Sequence, residues 1–422
     1  MGWRACGSDL RGLRGQTEVV EDLDDDFLVG DRGDQGALSA ARAGQNSDEE
    51  RRAPCDHVAE RYTQSRGILR IRMVDRLPED TQTLFSELVA LVLAREAQRG
   101  IAHIDGAFIT KRIRGREYVY FQYSDPGTRK RQFSIGPSSR ALDALIAKRA
   151  ADRDVDADDV ARITRLARLL DAADLQTLPE DVGRVLRALS DAGVFRLGGV
   201  LVGSYAFLLL ANTLGVHWPS AAWRTRDVDI AGSVTIGTPL LEADVPATLD
   251  SLRMGFVPVP QLDPRHPSTS FKVRGRDLRV DLIVPGAEAS KAPVFVPRFR
   301  AAAAPLKHLS LLLEDAEPAV AIGSSTIMVR VPAPARFALH KLLLSQSRAL
   351  IQQTKTTKDL HQAALLLEVL GSDRPQDLEA AAGAFLAAGK GVVTQLERAL
   401  TRLGKEWPIA EAGVRLLRRE LR

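Results

Sequence analysis

Residues 199–207 read GVLVGSYAF and residues 224–231 read RTRDVDIA. The first string makes a short apolar strand, Gly199 to Val202, that runs into Gly203-Ser204, where a helix begins. The first turn of a helix carries backbone N–H groups with no partner inside the helix. With the Ser204 hydroxyl they are suited to hold phosphate oxygens. The second string places Asp227 and Asp229 one residue apart. In a strand both carboxylates leave one face while Val228 and Ile230 pack on the other, and two carboxylates on one face hold a divalent metal. Taken singly, a Gly-Ser turn is more often only a helix cap and an Asp-x-Asp a solvated strand edge. Their combination is more demanding, because it needs a buried strand, a phosphate turn, a returning helix and a second strand carrying the acids.

Downstream, a helix is expected from about Leu241 to Met254. Residues 271–285, FKVRGRDLRVDLIVP, then read as a hairpin turned at Gly275-Arg276. Asp281 sits there between Val280 and Leu282 in an apolar strand, where an unpaired carboxylate is costly. Either it joins the Asp227/Asp229 pair or it is neutralised by an arginine such as Arg279 or Arg226. After Ala333 the chain reads as helical, with Lys341, Arg348 and Lys358 as cations along it; basic residues on exposed helix faces are usually just solvated. Trp218, Pro219 and Trp223 fall in a stretch, about Leu214 to Arg224, that reads as a surface insertion beside the site.

Upstream, apolar positions Leu84, Leu88, Leu91 and Val92 predict a helix over Glu79 to Arg99. The period then changes to that of a three-stranded meander over about 106–137, with turns at Arg114-Gly115 and Asp125-Pro126-Gly127. Its strands and turns carry Lys111, Arg112, Arg114, Arg116, Arg129, Lys130 and Arg131 among Tyr118, Tyr120, Tyr123 and Phe133. Basic groups interleaved with aromatics suit contact with RNA or DNA. The alternative is that the aromatics face a neighbouring helix and the charges merely solvate the other face. Helices are expected over 138–151, 156–173 and 178–192, the last delivering the chain to a strand at Phe195.

With 422 residues, 45% of them hydrophobic and 27% charged, the chain has the composition of a soluble protein of two or three domains. A formal net charge of +4 permits nucleotide or nucleic acid as partner without requiring it. Only Cys6 and Cys55 occur, both in the N-terminal stretch, so no disulfide framework is read. No membrane-spanning run or signal pattern is read, and a cytoplasmic setting is expected. Residues 1–72, rich in Gly, Asp, Arg and Ser, are expected to be a disordered extension or a misassigned start before Met73. The remaining divisions are a helix and basic meander (73–155), a catalytic core (156–300) and a helical C-terminal region (301–422).

The Gly203-Ser204 turn followed by Asp227-x-Asp229 resembles the signature of the nucleotidyltransferase superfamily typified by DNA polymerase beta. The spacing between turn and acids is longer here than is usual for that family. Lys341, Arg348 and Lys358-Asp359 are more distantly similar to the pattern of abortive-infection toxin nucleotidyltransferases. His361-Gln362 stand where those toxins carry an aromatic-acid pair, so toxin activity is not implied. The basic meander suggests an uncharacterised bacterial branch of the superfamily. The resemblance implies an α+β fold, a mixed-sheet nucleotidyltransferase core flanked by helices. It implies Asp227, Asp229 and Asp281 as catalytic residues around Mg²⁺ or Mn²⁺, and Gly203, Ser204, Lys341, Arg348 and Lys358 around a nucleoside triphosphate such as ATP. The implied reaction moves a nucleoside monophosphate onto an acceptor hydroxyl of RNA, protein or a small molecule. The alternative is a silent copy of the fold that binds nucleic acid or regulates a partner.

Overall fold

The computed structural model describes residues 74–98, 106–113, 115–124, 130–223, 225–232, 243–286, 292–347 and 353–422, all within the unit Leu69–Arg422. The N-terminal stretch 1–72 lies outside them, as do Arg114, Arg129 and Arg348.

In chain order, β1 (Asp75–Arg76) and α1 (Glu79–Ala97) precede the meander β2 (Gly106–Ile113), β3 (Arg116–Ser124) and β4 (Lys130–Pro137), which leads into α2 (Arg140–Ala172) and α3 (Glu180–Asp191). The core follows as β5 (Val200–Val202), α4 (Gly203–Leu214), β6 (Val216–His217), α5 (Ser220–Trp223), β7 (Asp227–Ala231), α6 (Val245–Ser251), β8 (Phe256–Pro258), β9 (Ser270–Val273), β10 (Arg279–Pro285), β11 (Val294–Val296), β12 (Ala301–Leu306) and α7 (Leu309–Leu313). A hairpin, β13 (Glu317–Ala321) and β14 (Ile327–Val331), then leads to α8 (Pro334–Ser347), α9 (Gln353–Asp373), α10 (Pro375–Ala387), α11 (Lys390–Glu406) and α12 (Glu411–Glu420).

The central sheet runs β11-β12-β10-β7-β5, with β9 joined to β10 and β8 to β9. It is mixed: β10 is parallel to β7 and β12 but antiparallel to β9, and β5 is antiparallel to β7. Along β10, Val280, Leu282 and Val284 are buried while Arg279, Asp281 and Ile283 lie on the more open face. β7 alternates in the same sense, Val228 and Ile230 inward and Asp227 and Asp229 outward. The period of two therefore delivers all three acids to one face. Helix α4 is apolar almost all round, and from Tyr205 to Leu214 only Thr213 escapes full burial, as a helix packed on every side must be.

Several sequence expectations change here. The helices expected over 138–151 and 156–173 are one helix, α2, capped by the Ser139 hydroxyl, which accepts from the Leu142 N–H. Its acidic middle contains neither Gly nor Pro to break it, and Arg95 pairs with Asp156 there, Nη2 to Oδ2 3.0 Å, so the division at 155 falls within a helix. Phe195 is buried in a turn, and the strand begins at Val200. The helix expected from Leu241 to Met254 is the shorter α6, capped by Asp244. Residues 301–331 are mostly strand, and the Ala-rich β12 belongs to the central sheet because small residues at 301–303 fit a strand buried there. The supposed surface insertion is in part internal: Leu214, Val216, Trp218 and Ala222 are buried, while His217 and Ser220 are exposed. β6 pairs with β1, and Trp218 is completely buried, stacked on Phe207 at 4.8 Å and donating its indole N–H to the Phe207 carbonyl at 2.7 Å. The side chain of Trp223 is outside the described set.

The meander is as expected, in the order β2-β3-β4. Among the described residues no helix is long and apolar enough to cross a membrane.

Candidate active site

β5, the start of α4, β7 and β10 meet at Asp229. In register it lies opposite Val202 on β5 and Asp281 on β10, with Asp227 opposite Arg279. Gly203 follows Val202 directly and adopts φ +68°, a left-handed conformation that glycine takes without a Cβ penalty. A Cβ built on Gly203 would stand 2.1 Å from the Asp229 Oδ2. The backbone that opens α4 is thus pressed against a carboxylate, an approach only glycine allows. Among the described residues no side chain caps the start of α4, so no side chain competes there for its first-turn N–H groups.

The electrostatics of the pocket follow from burial and crowding. Asp229 is pushed up to about 7, first by burial, then by the charges of Asp281 and Asp227, with Lys341 and Arg279 opposing. Asp281 is held on its own strand: Arg279 Nε donates to Asp281 Oδ1 at 2.7 Å, the Ser270 hydroxyl donates to the same oxygen, and Arg279 Nη2 donates to Ser270 Oγ at 2.8 Å. The arginine pairing foreseen as the structural alternative is therefore formed, while Asp281 still neighbours Asp229. Arg226 goes elsewhere, to Asp181 at 3.3 Å. Below the acids, the Thr225 hydroxyl accepts from the Asp227 N–H at 3.2 Å and the buried Tyr205 hydroxyl donates to the Thr225 carbonyl at 2.9 Å. Burial raises Tyr205 to about 12, so it stays a neutral donor that fixes the entry to β7.

The helical side contributes unequally. Lys341 is buried and donates to Asp359 at 2.8 Å in an ion pair between α8 and α9. Its charge is felt by Asp229, but its hydrogen bond is with Asp359. Lys358 is half-buried, and its ammonium is lowered by burial and by Lys341, while Asp359, Asp227 and Asp229 hold it up. Lys358 thus lies within electrostatic reach of both acids. Helix α9 is fastened to the insertion by Gln362, whose amide donates to the Ala222 carbonyl at 2.7 Å.

Sequence reasoning missed Ser270 and Asp359 as the partners of Asp281 and Lys341. The signal for Asp359 was present in the Lys-Asp pair at the start of α9, whereas Ser270 is recognisable only once β9 is seen to lie against β10. His340, beside Lys341, was also passed over. It is buried, pushed down to about 3 by burial, and so remains neutral.

A divalent cation was implied, and the donor set can be tested against it. Asp227 and Asp229 share one face, and Asp229, raised first by burial and then by the charges of Asp281 and Asp227, is a carboxylate that a cation would help to ionise. The pair fits a hard cation bound through oxygen. Among the described residues no three His, Cys, Asp or Glu side chains gather at ligand distance, in keeping with the engagement of Asp281 by Arg279 and Ser270.

Residues 180–386 match a family model described as a nucleotidyltransferase, which spans just under half of the chain. Among curated protein sequences, none matches. A solved structure similar to the chain is the crystal structure of an antigenic nucleotidyltransferase-like protein from Paracoccidioides brasiliensis, 14% identical, with a TM-score of 0.32, covering 57% of this chain and 94% of that one. The matched segment, residues 180–386, contains Gly203, Ser204, Asp227, Asp229, Asp281, Lys341 and Lys358. The family match and the α+β, mixed-sheet core support a nucleotidyltransferase fold and a transferase of this kind, with a nucleotide as substrate.

Proposed function

We infer that the chain transfers a nucleoside monophosphate from a nucleoside triphosphate to an acceptor hydroxyl, with Asp227 and Asp229 as the centre of the reaction. The observation that carries this reading is the packing of the Gly203 backbone against the Asp229 carboxylate, which brings the start of α4 and the acid pair together. In the reaction the acceptor oxygen bonds to the α-phosphorus, the bond to pyrophosphate breaks, and the acceptor proton is lost. A Mg²⁺ or Mn²⁺ ion held by Asp227 and Asp229 would supply charge compensation for the phosphates. Backbone N–H groups at Gly203 and Ser204 would bind phosphate oxygens at the positive end of α4. Lys358, within electrostatic reach of the acids, would balance charge developing on the leaving pyrophosphate. Asp281, set by Arg279 and Ser270, would act next to Asp229, either accepting the acceptor proton or joining the cation's ligands once Arg279 yields. Lys341, committed to Asp359, would position α8 and α9 and contribute its field.

The test is incubation of the protein, and of its Asp227→Ala/Asp229→Ala form, with each α-labelled nucleoside triphosphate and Mg²⁺ or Mn²⁺, adding cellular RNA or cellular protein in turn. Label transferred by the native chain alone would support the reading and identify the acceptor class. No transfer and no metal-dependent nucleotide binding would refute it. A silent copy of the fold is favoured by one observation, the engagement of Asp281 by Arg279 and Ser270, and that second outcome is what it expects.

A further inference from the structure

The two faces of the meander do different work. Phe121 and Val119 on β3 are buried, and Phe121 meets Phe108 of β2 edge to face at 5.2 Å. The Arg149 guanidinium of α2 lies over both rings, at 5.1 and 5.4 Å, and donates to the Gly106 carbonyl at 3.0 Å. That face is fastened to α2. By the alternation of the strand, Tyr118 and Tyr120 leave the opposite face, where both remain partly open. Lys111, paired in register with Tyr118, lies over the Tyr120 ring at 4.9 Å and donates to Gln132 Oε1 at 2.9 Å. Arg116, exposed, belongs to the same alternation set. Among the described residues no carboxylate belongs to that set on β2 or β3, since Glu117 falls on the other one, opposite Arg112. Phe108 and Phe121 thus face the helix, while Tyr118 and Tyr120 stand with Lys111 and Arg116.

We propose that this outer face of the meander binds single-stranded nucleic acid, Tyr118 and Tyr120 stacking on bases while Lys111 and Arg116 meet the phosphates. Charge complementarity commits the face to a polyanion, and the rings commit it to one with accessible bases. Two residues apart on a strand, the rings lie about 7 Å apart, whereas bases along a duplex strand are about 3.4 Å apart. Each ring can take its own base only from a strand whose bases have been drawn apart. Aromatic rings on a basic sheet bind such strands with little regard for sequence. The proposal is independent of catalysis at Asp229.

The test is fluorescence anisotropy on the full chain, using a labelled mixed-sequence RNA strand of about 12 nucleotides, its DNA counterpart, and the blunt duplex of the same length. At least one of the single strands is expected to bind more tightly than the duplex, with an affinity that falls as KCl is raised. Tyr118→Ala/Tyr120→Ala is expected to weaken this at least about tenfold, while Tyr118→Phe/Tyr120→Phe stays within about twofold because it keeps the rings. Should the alanine pair fail to fold, Lys111→Glu/Arg116→Glu gives a second route, again with an expected loss of at least about tenfold. Asp227→Ala/Asp229→Ala is expected to bind as the native chain does, which separates this proposal from the transferase reading. Absence of single-strand binding, equal affinity for the duplex, or indifference to both the alanine and the charge-reversal pairs would overturn it.

Discussion

Replacing Gly203 by alanine tests the contact on which the site is built. The substitution imposes two costs. At φ +68° an L-residue gives up about 1–2 kcal/mol relative to right-handed backbone. The new Cβ would also stand 2.1 Å from the Asp229 Oδ2, where real Cβ contacts are essentially never under 3.0 Å. The carboxylate must therefore withdraw by about 1 Å, and misplacement of a reacting group by that distance costs on the order of 100-fold in rate. Urea denaturation should show Gly203→Ala destabilised by about 2 kcal/mol or more, and transfer assays should show a loss of about 100-fold. The decisive comparison is a double-mutant cycle. If the clash is with Asp229, adding Asp229→Ala removes it, and Gly203→Ala should cost at least about 1 kcal/mol less in that background. Strict additivity, or an unchanged denaturation midpoint for Gly203→Ala alone, would refute the proposed contact.

Three further outcomes are expected. Asp229, raised from 3.8 to about 7, keeps a proton in the folded state through a range where the unfolded chain has lost it. Its contribution to stability therefore falls as pH rises from about 4 to about 7, by at most about 4 kcal/mol. Asp229→Asn should remove that slope and be more stable than the native chain at pH 8, as read by denaturation at pH 5 and pH 8. Lys341→Met should cost about 3–5 kcal/mol by removing the ammonium that pairs with the buried Asp359 carboxylate, and Lys341→Met/Asp359→Leu should recover most of it; if the double variant is no more stable than the single one, the pair is not the reason Lys341 matters. Lys358→Ala should raise the KM for the nucleoside triphosphate about tenfold through loss of a cation beside the phosphates, and an unchanged KM in steady-state assays would exclude Lys358 from nucleotide binding.

Much of the framework is local and was legible as such. The alternation in residues 227–231, the turn at Gly275-Arg276 and the meander over 106–137 express a period of two and turn chemistry that neighbouring residues carry by themselves. So does the placing of Asp227 and Asp229 on one face, because a strand leaves no other choice. Context is not carried locally. The sequence divides α2 into two helices and assigns the Ala-rich run at 301–303 to a helical region, yet α2 is continuous and β12 completes a sheet, because distant partners decide both. Trp218 looked like a surface residue because nothing in its own stretch shows that β1 pairs with β6 and that Phe207 waits beneath it.

The sequence by itself determined which groups are available: a glycine before a helix, paired acids, a Lys-Asp step, and basic strands with aromatic residues. Only the tertiary structure decided their assignments. It set Asp281 beside Asp229 yet tied it to Arg279 and Ser270, gave Lys341 to Asp359, put Lys358 within electrostatic reach of the acids, and turned Phe108 and Phe121 of the meander toward α2 and Tyr118 and Tyr120 to its other face. The physical reason is that a charge or a ring acquires its role from its neighbours and its access to water, and in this chain those neighbours come from strands and helices far apart in sequence.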